Sequence, residues 1–159
     1  GISLIVAILA FRRSQIEHKE RYLSIHAYLS DSYREKIDEH ILVCFGMTYT
    51  NPSTLPDSLS RTELHVLFTD DDRHVNKARL PAYTGDLMPK SIEGGVRFSE
   101  TVNIASQSSV SGWFVFQLPE YLTHDVRIEK YKLVSLNTRG SVVAVETMIM
   151  REICYEKES

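Results

Sequence analysis

Eleven consecutive residues, His40-Ile41-Leu42-Val43-Cys44-Phe45-Gly46-Met47-Thr48-Tyr49-Thr50, set the strongest constraint on how this chain can fold. Ile41, Val43, Phe45, Met47 and Tyr49 fall on one face at a period of two, while Cys44, Gly46, Thr48 and Thr50 make the other face smaller and more polar. That period fits a β-strand, and one apolar face set against a lesser one is the pattern of a half-buried antiparallel strand. Asn51-Pro52-Ser53 breaks it, because proline cannot donate to a strand ladder. A strand with one large apolar face needs other strands to cover that face.

Candidates for those strands follow along the chain. Residues 22–29 read as a strand with Leu23, Ile25 and Ala27 on one face and Ser24, His26 and Tyr28 on the other, with helix as the competing reading. Residues 30–39 are polar and read as a bridge. Residues 61–69 place Leu64, Val66 and Phe68 together and end at Asp70-Asp71-Asp72-Arg73. Shorter pieces at 74–80 and 96–104 are separated by turns at Pro81, Gly85, Pro89 and Gly94-Gly95. Ser111-Gly112-Trp113-Phe114-Val115-Phe116-Gln117-Leu118-Pro119 puts Phe114, Phe116 and Leu118 on one face before a proline stop. Residues 126–136 and 141–150 read as a hairpin joined through Asn137-Thr138-Arg139-Gly140, whose glycine can supply a positive φ. About seven turn-punctuated strands without a long amphipathic helix among them predict a mainly β fold, an antiparallel β-sandwich, with a small closed barrel as the alternative.

The N-terminus follows different rules. Residues 1–11 are apolar except for Ser3 and end at Arg12-Arg13, followed by a dense run of mixed charge. Such a run suits lipid on every face, but crossing a bilayer takes roughly 20 apolar residues, so the rest of the span is expected upstream of Gly1. A buried core helix and a signal peptide compete with this reading. The signal peptide is disfavoured because the arginines follow the run instead of preceding it. Arg13, Glu17 and Arg21 stand at i, i+4 and i+8, which supports a helical stalk. Arg12, Arg13, Lys19 and Arg21 flank the run, and the bias of basic residues toward the cytoplasmic side predicts a domain in the cytoplasm, at the cell (inner) membrane. The expected organisation is a membrane helix end and stalk over 1–21, a β-sandwich over 22–153 and a charged tail over 154–159.

Taken together, these pieces resemble bacterial single-pass membrane proteins of unknown function, in which a short N-terminal span and charged stalk carry an immunoglobulin-like sandwich. The residues that match are the apolar run with Arg12-Arg13, the strand ending in Thr50-Asn51-Pro52-Ser53, the apolar strand soon after it, and residues 112–119 before a glycine-turned hairpin. The resemblance implies an immunoglobulin-like architecture and brings no catalytic residues.

Composition narrows the function classes. With 159 residues there is room for one ordinary domain beyond the stalk, and 43% hydrophobic and 25% charged residues are normal for a folded chain. A net charge of −3 gives no reason to expect a nucleic-acid partner, which calls for a clustered basic face. Cys44 and Cys154 form no CxxC pair and read as free thiols. Asn51-Pro52-Ser53 cannot be glycosylated, because proline occupies the middle position.

No constellation of residues compels a reaction. Asp70-Asp71-Asp72 with Arg73-His74 lacks the alternate acids, glycine and closing glutamate of an EF-hand and reads as a solvated turn, with a weak cation site as the lesser reading. His18, His26, His40, His65, His74 and His124 show no metal-binding spacing, and His26, His40 and His65 are expected to face solvent. Residues 106–111 are serine-rich without a nucleophile elbow, and Gln107-Ser108-Ser109 reads as a loop. Gly94-Gly95 opens a strand, not a phosphate-binding helix, and reads as a turn. Trp113 reads as packing, or alternatively as a stacking platform with Tyr121 or Tyr131. The sequence therefore predicts no catalytic, cofactor-binding or metal residues. It predicts a membrane-anchored interaction or structural module, not an enzyme, held to a lipid bilayer by residues 1–11 and binding a protein partner. The alternative is a carbohydrate- or peptide-binding module on the outer side of the membrane.

Overall fold

The alternation at residues 40–50 becomes an inner strand of a computed structural model in which residues 24–148 and 151–153 are described. These form nine strands: β1 (His26–Ile37), β2 (His40–Asn51), β3 (Asp57–Thr69), β4 (Val75–Pro81), β5 (Val102–Ile104), β6 (Ser108–Leu118), β7 (Arg127–Asn137), β8 (Val142–Thr147) and β9 (Arg151–Ile153). One sheet runs β6-β2-β1-β9, the other β4-β3-β7-β8 with β5 on β3. The fold is mainly β and sandwich-like, as expected. One pairing departs from the antiparallel pattern, since β9 lies parallel to β1 through Tyr33 to Arg151, Arg34 to Glu152 and Glu35 to Ile153. Among the described residues no helix is long and apolar enough to cross a membrane. The expected membrane helix and stalk, the tail and Cys154 lie outside the described residues.

The two sheets meet through the faces that alternate most strongly. Val43, Phe45, Met47 and Tyr49 of β2 and Phe114, Phe116 and Leu118 of β6 are buried against Leu64, Val66, Tyr131 and Leu133. Phe45 sets its ring edge-on to Phe116 at 6.0 Å and to Tyr131 across the sandwich at 6.1 Å, favoured aromatic geometries. One end of the sandwich is closed by a polar staple. Fully buried Asn51 donates its amide to the carbonyl of Leu55 at 2.8 Å and to those of Ile104 and Ala105 at 3.3 Å, and its carbonyl oxygen accepts the Ser53 N–H. The break at Asn51-Pro52-Ser53 is thus a joint between β2, β3 and β5.

Several segments differ from the sequence reading. The polar residues 30–37 are not a bridge but the second half of β1, and only Asp38 and Glu39, both at positive φ, make the turn into β2. The cause is a β-bulge: Leu29 pairs with Met47 and Asp31 with Gly46, leaving Ser30 as an extra residue. A bulge shifts the side-chain alternation by one, so Ala27 and Leu29 pack on the sandwich core before it, while Tyr33 and Ile37 pack on the opposite side after it. Ser108 and Ser109 belong to β6, not to a loop, and of 96–104 only Val102–Ile104 is a strand. The closing hairpin forms as expected, with Gly140 at φ +80°.

Because Phe45 and Phe116 are buried in contact at the centre of this core, truncating either to Ala should cost about 3–5 kcal/mol in denaturant melts of the full chain. Asp71→Ala in the exposed β3–β4 turn should move stability by less than about 0.5 kcal/mol. A Phe116→Ala protein as stable as the parent would mean that the sheets do not meet through this seam.

Candidate functional site

After β4 the chain leaves the five-stranded sheet and crosses onto the four-stranded one. The Tyr83 N–H donates to Val115 at 2.8 Å, Trp113 donates to Val96 at 2.8 Å, and Phe98 donates back to Trp113 at 2.8 Å. Residues 82–98 therefore strap the edge of β6 and cover the outer side of β2. Beneath the strap, Leu42, Cys44, Ile92 and Val115 form a second buried cluster. The face of β2 read from sequence as the lesser one is thus covered too, because the strap brings its own apolar side chains.

The strap is pinned by a residue that sequence analysis passed over. Glu35, fully buried on β1, accepts the Lys90 N–H at 2.9 Å on one oxygen, and the Ser91 N–H at 3.3 Å and hydroxyl at 3.0 Å on the other. These donors belong to the short 3-10 turn Lys90–Ile92, so one carboxylate caps the strap's only helical turn. No sequence signal marks Glu35: it sits in a polar run whose alternation is shifted by the bulge. Cys44 lies beside it, unpaired and buried. Burial, reinforced by the charge of Glu35, pushes its thiol up to about 12 against the opposing pull of the Ser91 hydrogen bond and the Arg97 charge. A thiol so rarely ionised at neutral pH is a packing group, not a nucleophile.

Where the strap departs from β4 it leaves an open cleft of about 830 Å³. Arg61 and Glu63 of β3 line one side, Tyr83 and Arg97 of the strap another, with Phe98 and Glu100 beyond them. Arg97 donates to the carbonyls of Tyr83 and Gly85 and lies 5.3 Å from the Tyr83 ring centre, so it serves as a fixed wall. Arg61 sits in a bulge of β3 at φ +50°, in the left-handed region. Of the non-glycine residues at positive φ among the described residues, it alone lies within a strand. Such a conformation costs a non-glycine residue of order 1 kcal/mol and is found preferentially at ligand-handling positions. The cleft therefore combines an aromatic floor with both signs of charge at its rim, a composition suited to binding and orienting a polar chain.

The residues singled out from sequence do not converge. Asp70 caps its own turn, accepting the His74 N–H at 2.9 Å and the Asn76 amide at 3.2 Å, and these bonds, that of His74 foremost, hold its carboxyl below the ordinary aspartate value. Asp71, Asp72, Arg73 and His74 are exposed. No group of three or more metal-ligating side chains comes together among the described residues. His26 and His40 face solvent as expected, and His124 is exposed too, but His65 is buried and hydrogen-bonds Glu63 at 3.1 Å, a correction explained by its position on an inner strand between Arg79 and Lys132. Trp113 leans on Tyr33 at 5.7 Å across Gly46, where a Cβ would come within 3.0 Å of the indole. Tyr131 points into the core and Tyr121 packs beside Phe68, so neither forms a platform with Trp113. Gly94-Gly95 is a turn within the strap, with Gly94 at φ +81°.

No family model matches the sequence, and no curated protein matches it. Among solved structures the chain is similar to a protein described as ApaA from Bordetella pertussis, at 11% identity over 80% of this chain and 94% of that one, with a TM-score of 0.37. It is similar to the same degree to a protein from Archaeoglobus fulgidus, at 12% identity over 82% of this chain and 98% of that one, again with a TM-score of 0.37. These likenesses define no family for the chain.

Two outcomes test this site. Glu35→Ala should destabilise the chain by at least about 1–3 kcal/mol through orphaned donors, and amide exchange at Lys90 and Ser91 should accelerate, whereas Glu35→Gln, which keeps an acceptor oxygen, should lose less. Cys44 should resist iodoacetamide in the folded chain and react once it is denatured, as read by mass spectrometry of the peptide that contains it.

Proposed function

We propose that this chain is a membrane-anchored interaction module, an immunoglobulin-like sandwich that holds a partner protein in the cleft between β3 and the strap. Residues 1–11 serve as the lipid anchor, and the basic residues that follow them keep the domain on the cytoplasmic side. The chemistry is binding, with no bond made or broken.

The observation that carries the reading is the cleft rim. Arg61 is held at a costly backbone angle in a bulge that turns it toward the cleft, with Glu63 close by in sequence and Glu100 on the facing loop. Opposed charges over Phe98 suit an extended polypeptide, whose side chains and backbone present both signs of partial charge. The carbohydrate reading gains nothing comparable, since Trp113 is engaged with Tyr33.

A photo-crosslinking residue placed at Glu100 of the full chain, expressed in cells, should give a discrete product that the same residue at Asp72 does not. Arg61→Gly, which removes the side chain and relieves the backbone, should weaken that product while leaving the denaturation midpoint within about 1 kcal/mol of the parent. Identical products from both positions would rule out the cleft as the binding site.

A further inference from the structure

The outer face of the five-stranded sheet carries a group of basic residues that the proposed function does not use. Side chains alternate along each strand, so the pairings of Leu67 with Lys77 and Lys130, and of His65 with Arg79 and Lys132, place these six residues side by side on the face turned away from the core. Lys77 and Arg79 stand on β4, Lys130 and Lys132 on β7, flanking β3. By sheet spacing the four cations mark a rectangle of about 7 Å along the strands and about 10 Å across them.

Of these four cations only Lys130 is ion-paired among the described residues, to Glu146 at 3.2 Å, while Glu63 is engaged by His65 and Glu129 by Arg127. Lys77 and Arg79 are exposed and Lys132 half-exposed, with no carboxylate in salt-bridge contact among the described residues. The chain as a whole carries 21 acidic against 18 basic side chains, so this concentration is not a reflection of composition. Aliphatic groups share the face: Val75 stands two residues before Lys77, and Val142, paired with Leu136, lies at the β8 margin, the two valines 69% and 62% exposed. The outer side of the other sheet is different, covered by the strap and by neutral hydroxyl pairs such as Thr48 with Ser111 at 2.8 Å.

We infer that this face lies against anionic phospholipid headgroups. Charge complementarity carries the assignment: cations spread over a plane and interleaved with exposed aliphatic side chains match a headgroup layer, where lysine and arginine meet phosphate and valine reaches the acyl boundary. None of the four cations lines the cleft, which meets this face at Glu63, held by His65 at 3.1 Å. The inference relies on the proposed anchor only to bring the face near a bilayer.

The test uses the full 159-residue chain in vesicles. A spin label at Leu67→Cys, in a Cys154→Ser background with Cys44 left buried, reports access of a water-soluble relaxation agent to the centre of the face. A label at Thr48→Cys serves as the control on the opposite side. In vesicles of phosphatidylcholine with phosphatidylserine the label at 67 should be shielded, and in phosphatidylcholine alone it should not. High salt, or the pair Lys77→Glu and Arg79→Glu at an unchanged denaturation midpoint, should restore access. Equal access in both vesicles, or equal shielding in both, overturns the inference. Shielding by polyglutamate in neutral vesicles without shielding by phosphatidylserine overturns it in favour of an acidic polypeptide partner. Flotation with neutral vesicles is scored separately: its failure counts against the anchor, while the phosphatidylserine comparison still decides the face.

Discussion

Burial of β2 on both faces is the constraint from which the rest of this structure follows. Its inward residues, Phe45 and Tyr49 among them, need a second sheet, and its outward residues Leu42 and Cys44 need a cover that no third sheet supplies. The strap provides that cover, but a strap whose regular structure is a single 3-10 turn and a bridge to Trp113 brings backbone donors into a low-dielectric layer where they must be satisfied. Glu35 answers that need with two oxygens and three accepted hydrogen bonds. The position of the cleft is a by-product of the same arrangement, because it opens where the strap leaves β4 to reach the far side of β2.

How much of this could be read from the residues alone depended on whether alternation ran uninterrupted. β2 and the second half of β6 show it cleanly, and the sequence places Phe45 and Phe116 in the core where the structure has them. In β1 the bulge at Ser30 shifts the alternation, and the second half resembles a linker because its outward residues Tyr33, Glu35 and Ile37 are covered by a strap that nothing in the residues announces. The site was less legible still. Glu35 and Arg61 are ordinary surface types in ordinary polar runs, and what distinguishes them, total burial in one case and a positive φ inside a strand in the other, is tertiary. The conspicuous residues Asp70, Trp113 and the histidines drew attention by type, yet the structure uses Asp70 for turn capping and Trp113 for packing against Tyr33.

The two proposed binding surfaces differ in how firmly they are built. The outer face of the five-stranded sheet rests on β3 and β7, paired along nearly their whole length, so its side chains stand on a rigid base. The cleft wall formed by residues 82–98 hangs on a few backbone bonds to β6 and on the Glu35 cap. Segments with few backbone partners open at lower free energy than core strands, so the wall can adjust to a ligand while the sheet face cannot.

The parallel pairing of β9 with β1 has a mechanical consequence. β1 is the first described strand and β9 the last, and they run side by side in the same direction. A pull applied between the start of β1 and the end of β9 acts along the strands, so the hydrogen bonds joining Tyr33, Arg34 and Glu35 to Arg151, Glu152 and Ile153 share the load in shear. An antiparallel pair pulled the same way at its adjoining ends would unzip one bond at a time. The edge of the four-stranded sheet is therefore arranged as a clasp that resists tension between the two ends of the domain, with Glu35, which holds the strap through its side chain, belonging to the same three-residue ladder.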